Sequence, residues 1–252
     1  MTKKIALITG ATAGIGLETA RILAKNNYNL ILTGRRLERL EEIKQELTLE
    51  GAAVILLHFD IRQKTEVDNA LDSIPENWRT IDVLVNNAGL AAGLAPINSA
   101  DVMDWEQMID TNVKGLLYVT RTVSNWMIAQ KSGHIISISS IAGKEAYPNG
   151  TVYCGTKHAV SAISKAMRIE LAPYNVKVST VCPGAVETEF SLVRFKGDEE
   201  KAAKVYEGFT PLFAQDIAET IYFIVSRPAH VNIDDILVMP TAQASARDFV
   251  RE

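Results

Sequence analysis

Residues 4–16 read Lys-Ile-Ala-Leu-Ile-Thr-Gly-Ala-Thr-Ala-Gly-Ile-Gly, an apolar run that gives way to closely spaced glycines. The run 4–9 lacks the polar alternation of a half-exposed strand and reads as a strand buried on both faces. Gly10, Gly14 and Gly16 fall where that strand would turn into a helical pattern over 15–26. Small residues at such a turn let backbone N–H groups approach a pyrophosphate, and the helix N-terminus adds a positive dipole. The spacing is Gly-x-x-x-Gly-x-Gly, a variant of the usual dinucleotide fingerprint. Its context of strand, turn and helix is the one that fingerprint requires.

The same alternation continues along the chain. Apolar runs at 29–33, 53–58, 82–86, 133–138, 177–182 and 235–239 read as further buried strands. Helical patterns lie near 37–50, 64–73, 104–130, 152–171, 198–207 and 214–226. Strands alternating with helices imply βαβ units and a parallel sheet. Seven strands rather than eight favour a doubly wound sheet over a barrel. The expectation is one α/β domain over 1–252, a three-layer Rossmann-type fold with a seven-stranded, mostly parallel sheet and a substrate loop near 185–210.

Composition narrows the function. The chain has 252 residues, 47% apolar and 22% charged, with a net charge of -4. That excludes a disordered chain and gives no general attraction for nucleic acid or anionic lipid. Cys154 and Cys182 make no disulfide framework, and His58, His134, His158 and His230 have no metal-ligand spacing, so no metal is expected. The run Ile5–Ile8 is too short for a secretory segment, and Ala52–Leu57 is far too short for a membrane span. A cytoplasmic protein with a small-molecule partner is expected, with neither nucleic acid nor membrane.

The second strand ends in Thr33-Gly34-Arg35-Arg36. A carboxylate there would bind the ribose 2′-OH of NAD; two guanidiniums suit a 2′-phosphate and so NADP(H). The alternative is a surface pair opening a charged helix. Asp60 closes the third strand, where it could meet the adenine. Asn86-Asn87-Ala88-Gly89 closes the fourth, with Ala88 and Gly89 leaving room for a cofactor. Tyr153 and Lys157 are four apart and share a helix face. Ser139 and Ser140 close the strand 133–138, at the end where open α/β sheets bind ligands. Gly115, three residues after Asn112, costs a helix about 1 kcal/mol and hints at a local constraint.

Taken together, these segments resemble the short-chain dehydrogenase/reductase family in its NADP-preferring form, over essentially the whole length. The likeness rests on Thr9–Gly16, Asn86–Gly89, Asn112, Ser140–Gly143, Tyr153–Lys157 and Pro183-Gly184. It implies a catalytic tetrad of Asn112, Ser140, Tyr153 and Lys157, with Ser140 rather than Ser139 in the catalytic place. It also implies cofactor contacts from Gly10, Ala11, Thr12, Ala13, Gly14, Ile15, Gly16, Arg35, Arg36, Asp60, Ile61, Asn87, Ala88, Gly89, Tyr153, Lys157, Pro183, Gly184, Val186 and Thr188. Tyr153 would exchange a proton with the substrate oxygen, poised toward neutrality by the Lys157 cation. Ser140 would stabilise that oxygen. Lys157 would also hold the nicotinamide ribose, and Asn112 would support a water-linked proton path. The family implies a homotetramer, with 104–130 and 152–171 at one interface.

Specificity is expected in Leu90–Pro96, Lys144–Gly150 and Ala185–Gly197, loops over the strand ends. With Thr33–Arg36, Thr188–Asp198 and Pro228–Ile233, these resemble the NADP-dependent 3-hydroxy acid dehydrogenases, which act on serine, L-allo-threonine and related acids and reduce malonic semialdehyde. Such a substrate needs a cation for its carboxylate. Arg194 and Lys196 are candidates; the other reading is that both are solvated or pair with Glu187, Glu189 or Asp198. Two alternatives stay open: a broad NADPH-dependent ketone or aldehyde reductase of dicarbonyl or pterin type, and a cofactor-sensing protein without turnover. The tail 241–252 carries no strong pattern and is expected to reach a neighbouring subunit or hang loose.

Overall fold

Every expected apolar run forms a strand in the computed structural model, which describes residues 3–252; Met1 and Thr2 of the expected 1–252 domain lie outside the described residues. The first half comprises β1 (Lys4–Ile8), α1 (Gly14–Lys25), β2 (Tyr28–Gly34), α2 (Leu37–Leu49), β3 (Val54–His58), α3 (Lys64–Asp72) and β4 (Val83–Asn86). The second half begins with α4 (Val102–Ile109), α5 (Leu116–Gln130), β5 (Gly133–Ile138), α6 (Thr151–Leu171) and β6 (Val176–Pro183). It continues through β7 (Val186–Glu187), α7 (Phe190–Arg194), α8 (Glu199–Lys204), β8 (Leu212–Phe213), α9 (Ala214–Val225) and β9 (Asp235–Val238).

The main sheet runs β3-β2-β1-β4-β5-β6-β9, parallel throughout. Strand order reverses between β1 and β4, which opens a crevice at their carboxyl ends. The strands read as continuous apolar runs because both faces are covered. Ala6, Ile8, Leu30 and Leu32 pack against Leu23, Leu40 and Ile221 of α1, α2 and α9. Ile5, Leu7, Ile31 and Leu84 pack on the other side against Val67, Leu71, Val123 and Met167 of α3, α5 and α6. Among the described residues, no helix is long and apolar enough to cross a membrane.

Three segments differ from expectation. The single helix expected over 104–130 is interrupted by a π-helical turn at Asp110–Gly115. Gly115 is there for packing: a Cβ would lie 2.9 Å from Ile61 Cγ1 and 3.1 Å from its carbonyl oxygen. The helix expected at 198–207 shrinks to α8, and the loop 185–210 is ordered by α7 and by the pairing of β7 with β8. The tail folds back on its own chain. Gln243 Oε1 accepts from Ala185 N at 2.8 Å, and Phe249 packs on Phe209 at 4.9 Å between ring centroids.

At the amino end of β5, His134 is 3% exposed. Its Nε2 lies 2.7 Å from Ser179 Oγ, while Nδ1 has no hydrogen-bond partner. Burial, with a smaller push from the Lys177 ammonium, pulls its pKa down to about 3.

Candidate active site

The glycine turn after β1 lies against the end of β4. Gly10 and Gly14 take positive φ of 66° and 53°, conformations that favour glycine. A Cβ on Gly10 would lie 2.9 Å from Ala88 Cα, and one on Gly16 would lie 2.5 Å from Asn87 Nδ2. Asn87 ties the two strand ends together by donating Nδ2 to the carbonyls of Thr9 at 2.9 Å and Gly10 at 3.0 Å. Thr9 Oγ1 in turn accepts from the N–H groups of Asn87 and Ala88, both at 3.0 Å. Asn87 and Ala88 therefore clasp the glycine turn to the end of β4.

The crevice becomes a cleft of about 770 Å³, within the ~300–1,000 Å³ usual for small-molecule sites. Of the residues expected at the cofactor, Gly10, Thr12, Ala13, Gly14, Ile15, Arg35, Arg36, Asp60, Ile61, Asn87, Ala88, Gly89, Pro183, Gly184, Val186 and Thr188 line it. Ala11 and Gly16 lie behind the lining, Ala11 in the core and Gly16 beneath the turn. The cleft passes from the Arg35–Arg36 end, over the glycine turn, to Tyr153. This cradle of close backbone and small residues fits an extended dinucleotide. Asp60 is held by Arg62, whose Nε lies 3.0 Å from both carboxylate oxygens, and its carboxyl sits below the usual range against the pull of burial.

At the other end, Ser140, Tyr153 and Lys157 converge on the cleft. Ser140 caps the short turn Ile141–Gly143, its Oγ accepting from Ala142 N at 3.1 Å and donating weakly to Pro183 O at 3.4 Å. Ser139 faces away, its Oγ donating to Lys157 O at 3.0 Å and lying 2.9 Å from Ser161 Oγ. Both serines border the cleft, but the Ser139 hydroxyl is engaged with α6. Lys157 is 6% exposed and donates to Ile138 O at 2.9 Å; burial pulls its pKa down to about 8.

Tyr153 departs from expectation. Its phenol sits well above the ordinary tyrosine value because it is buried and Tyr147 adds to the effect; the Ser140 hydroxyl and the Arg194 guanidinium pull the other way. Lys157 Nζ lies 5.9 Å from the ring centroid and is committed to Ile138, so desolvation outweighs the cation that was expected to poise this phenol near neutrality. Asn112 also differs: it does not line the cleft. Its Oδ1 accepts from Leu90 N and its Nδ2 donates to Leu90 O, both at 2.8 Å, with Thr156 Oγ1 at 3.1 Å. The side chain positions the loop after β4.

Arg194 and Lys196 part company. Lys196 pairs with Asp104 at 2.9 Å and Asp101 at 3.6 Å, outside the cleft, which removes it as a carboxylate partner. Arg194 lines the cleft with its guanidinium carbon 5.6 Å from the Tyr153 ring centroid and 5.8 Å from that of Tyr147. Its Nη2 donates to Tyr147 Oη at 3.3 Å, and among the described residues no carboxylate lies within ion-pair distance of it. Tyr147, Phe190 and Tyr206 complete this end. None was singled out from sequence, because loop aromatics carry no periodicity. Tail residues Gln243, Arg247, Phe249 and Arg251 also border the cleft, which the sequence had no means of signalling.

Comparison with known proteins agrees with this geometry. The short chain dehydrogenase family profile matches residues 4–198. The NADP-dependent 3-hydroxy acid dehydrogenase of Salmonella typhi is 48% identical over 243 residues, covering 96% of this chain and 97% of that one. Serine 3-dehydrogenase of Agrobacterium fabrum is 43% identical over 240 residues, 95% of each chain. A closed form of serine dehydrogenase complexed with NADP+ superposes with a TM-score of 0.92 at 44% identity, covering 98% of this chain and 99% of that one.

Proposed function

Since the chain belongs to the short chain dehydrogenase family and is an NADP-dependent oxidoreductase, we propose that it acts on the 3-hydroxy or 3-oxo carbon of a small hydroxy acid, of the serine, L-allo-threonine or 3-hydroxypropionate type. The observation that carries the acid is Arg194, a guanidinium above the Tyr153 ring that has no carboxylate partner among the described residues. Arg35 and Arg36 at the far end of the cleft support the 2′-phosphate.

The bound dinucleotide supplies or accepts the hydride. Tyr153, held as a neutral phenol, donates its proton to the oxygen of the reduced carbon and recovers it in oxidation. Ser140 hydrogen-bonds that oxygen as its charge develops. Lys157, fixed by Ile138, holds a cation beside Tyr153 and would hold the nicotinamide ribose. Asn112 acts through the loop it fixes. A homotetramer belongs to the same reading, supported by exposed Ile109 and Leu117 on the outer side of α4 and α5.

The test compares a 3-hydroxy acid with its methyl ester. A hydrogen bond to a charged group contributes about 1.5–3 kcal/mol, so Arg194→Ala should lower kcat/KM for the acid about 10- to 100-fold. The ester should change little. A wild-type enzyme that turns over ester and acid equally has no carboxylate anchor and is instead a broad ketone or aldehyde reductase.

A further inference from the structure

One carboxylate in the cleft is gripped by two guanidiniums. Glu189 Oε2 accepts from Arg36 Nη1 at 2.7 Å, and its Oε1 accepts from Arg39 Nη1 at 2.6 Å. Arg36 is aimed by Thr12, whose Oγ1 receives Nε at 3.1 Å and Nη2 at 2.8 Å. Thr12, Arg36 and Glu189 all line the cleft; Arg39 does not. The strap that carries Glu189 rests on the phosphate turn, since a Cβ on Gly14 would meet the Thr188 methyl at 3.2 Å. Glu189 directly precedes α7, whose last residue is Arg194. One short helix therefore connects a carboxylate on Arg36 to the guanidinium above Tyr153.

A 2′-phosphate and the Glu189 carboxylate are both anions, and Arg36 has one charge to offer them. Seated together they would repel, so one must yield. We propose that Glu189 is a resident stand-in for the cofactor's 2′-phosphate, and that the phosphate must take Arg36 from it. Glu189 is then a specificity-determining residue: it taxes the phosphorylated dinucleotide and leaves the unphosphorylated one untouched. Arg39 keeps hold of the displaced carboxylate, so the strap stays tethered while α7 carries the movement to Arg194. This rests on the NADP(H) reading above.

Two adenosine fragments separate the possibilities. Adenosine 2′,5′-bisphosphate and 5′-AMP differ only by the 2′-phosphate, and their Kd values can be measured by calorimetry on the whole enzyme. The wild type should prefer the bisphosphate. Glu189→Gln should tighten the bisphosphate about two- to fivefold, the scale of a half-exposed ion pair released. It should move 5′-AMP less than about twofold, and Glu189→Ala should give the same split. Equal changes for both fragments, or weaker bisphosphate binding in Glu189→Gln, would overturn the proposal; the second outcome would make Glu189 a support for Arg36. A wild type that binds both fragments alike would instead remove the 2′-phosphate site itself, and the NADP(H) assignment with it.

Discussion

Phe in place of Tyr153 is expected to lower kcat about 10³-fold, in the middle of the range for loss of a general acid, while the dinucleotide still binds. The substitution removes one hydroxyl and nothing else from the packing. Phe190 would still lie across the ring at 5.7 Å, and Arg194 at 5.6 Å. The loss corresponds to about 4 kcal/mol of barrier. Steady-state turnover and a fluorescence titration with NADPH check the two halves separately. Turnover near that of the wild type would take the proton-transfer role away from Tyr153. The pH dependence carries a sign as well. A phenol held above its ordinary value stays protonated at neutral pH and offers little phenolate to act as a base. Oxidation should therefore gain from rising pH while reduction does not, and Tyr153→Phe should flatten that rise.

Acid should weaken the fold through His134. The folded pKa of about 3 lies below the ordinary histidine value of about 6.5, so the buried ring stays neutral while the unfolded chain takes up a proton. Its contribution is whole above pH 6.5 and is lost as pH falls toward 3. With these two values the loss reaches about 2 kcal/mol by pH 5 and about 4 kcal/mol by pH 3, against the ~5–15 kcal/mol total of a typical domain. His134→Gln keeps a polar group near Ser179 and cannot take up that proton. Denaturant unfolding at pH 7 and pH 5 should show the wild type losing about 2 kcal/mol more than the variant. Equal losses would mean that the imidazole is not held neutral.

The parallel sheet was legible because its strands are apolar on both faces; Ile5, Ala6, Leu7 and Ile8 alternate between two cores, so the sequence shows no polar beat there. The glycine turn was legible because its geometry demands glycine, and the pairing of Tyr153 with Lys157 because helix period fixes it. Other features depend on partners distant in sequence. The π-helical turn ends at Gly115, which packs on Ile61, a contact that no local pattern encodes. Arg194 and Lys196 are two residues apart and look alike in sequence; only Asp101 and Asp104 tell them apart. The balance of charge and burial at Tyr153 was likewise misjudged, since desolvation is a property of the packed site and not of residue spacing.

Asn112 brackets Leu90 with its amide, accepting from the Leu90 N–H and donating to its C=O. A side chain here mimics a strand partner for a residue that belongs to no strand. In the language of hydrogen exchange, the Leu90 amide should behave as though it lay in the sheet, its proton leaving only when the buried turn Asp110–Gly115 opens. The floor of the reaction site and the turn below it should then open together, as one cooperative unit.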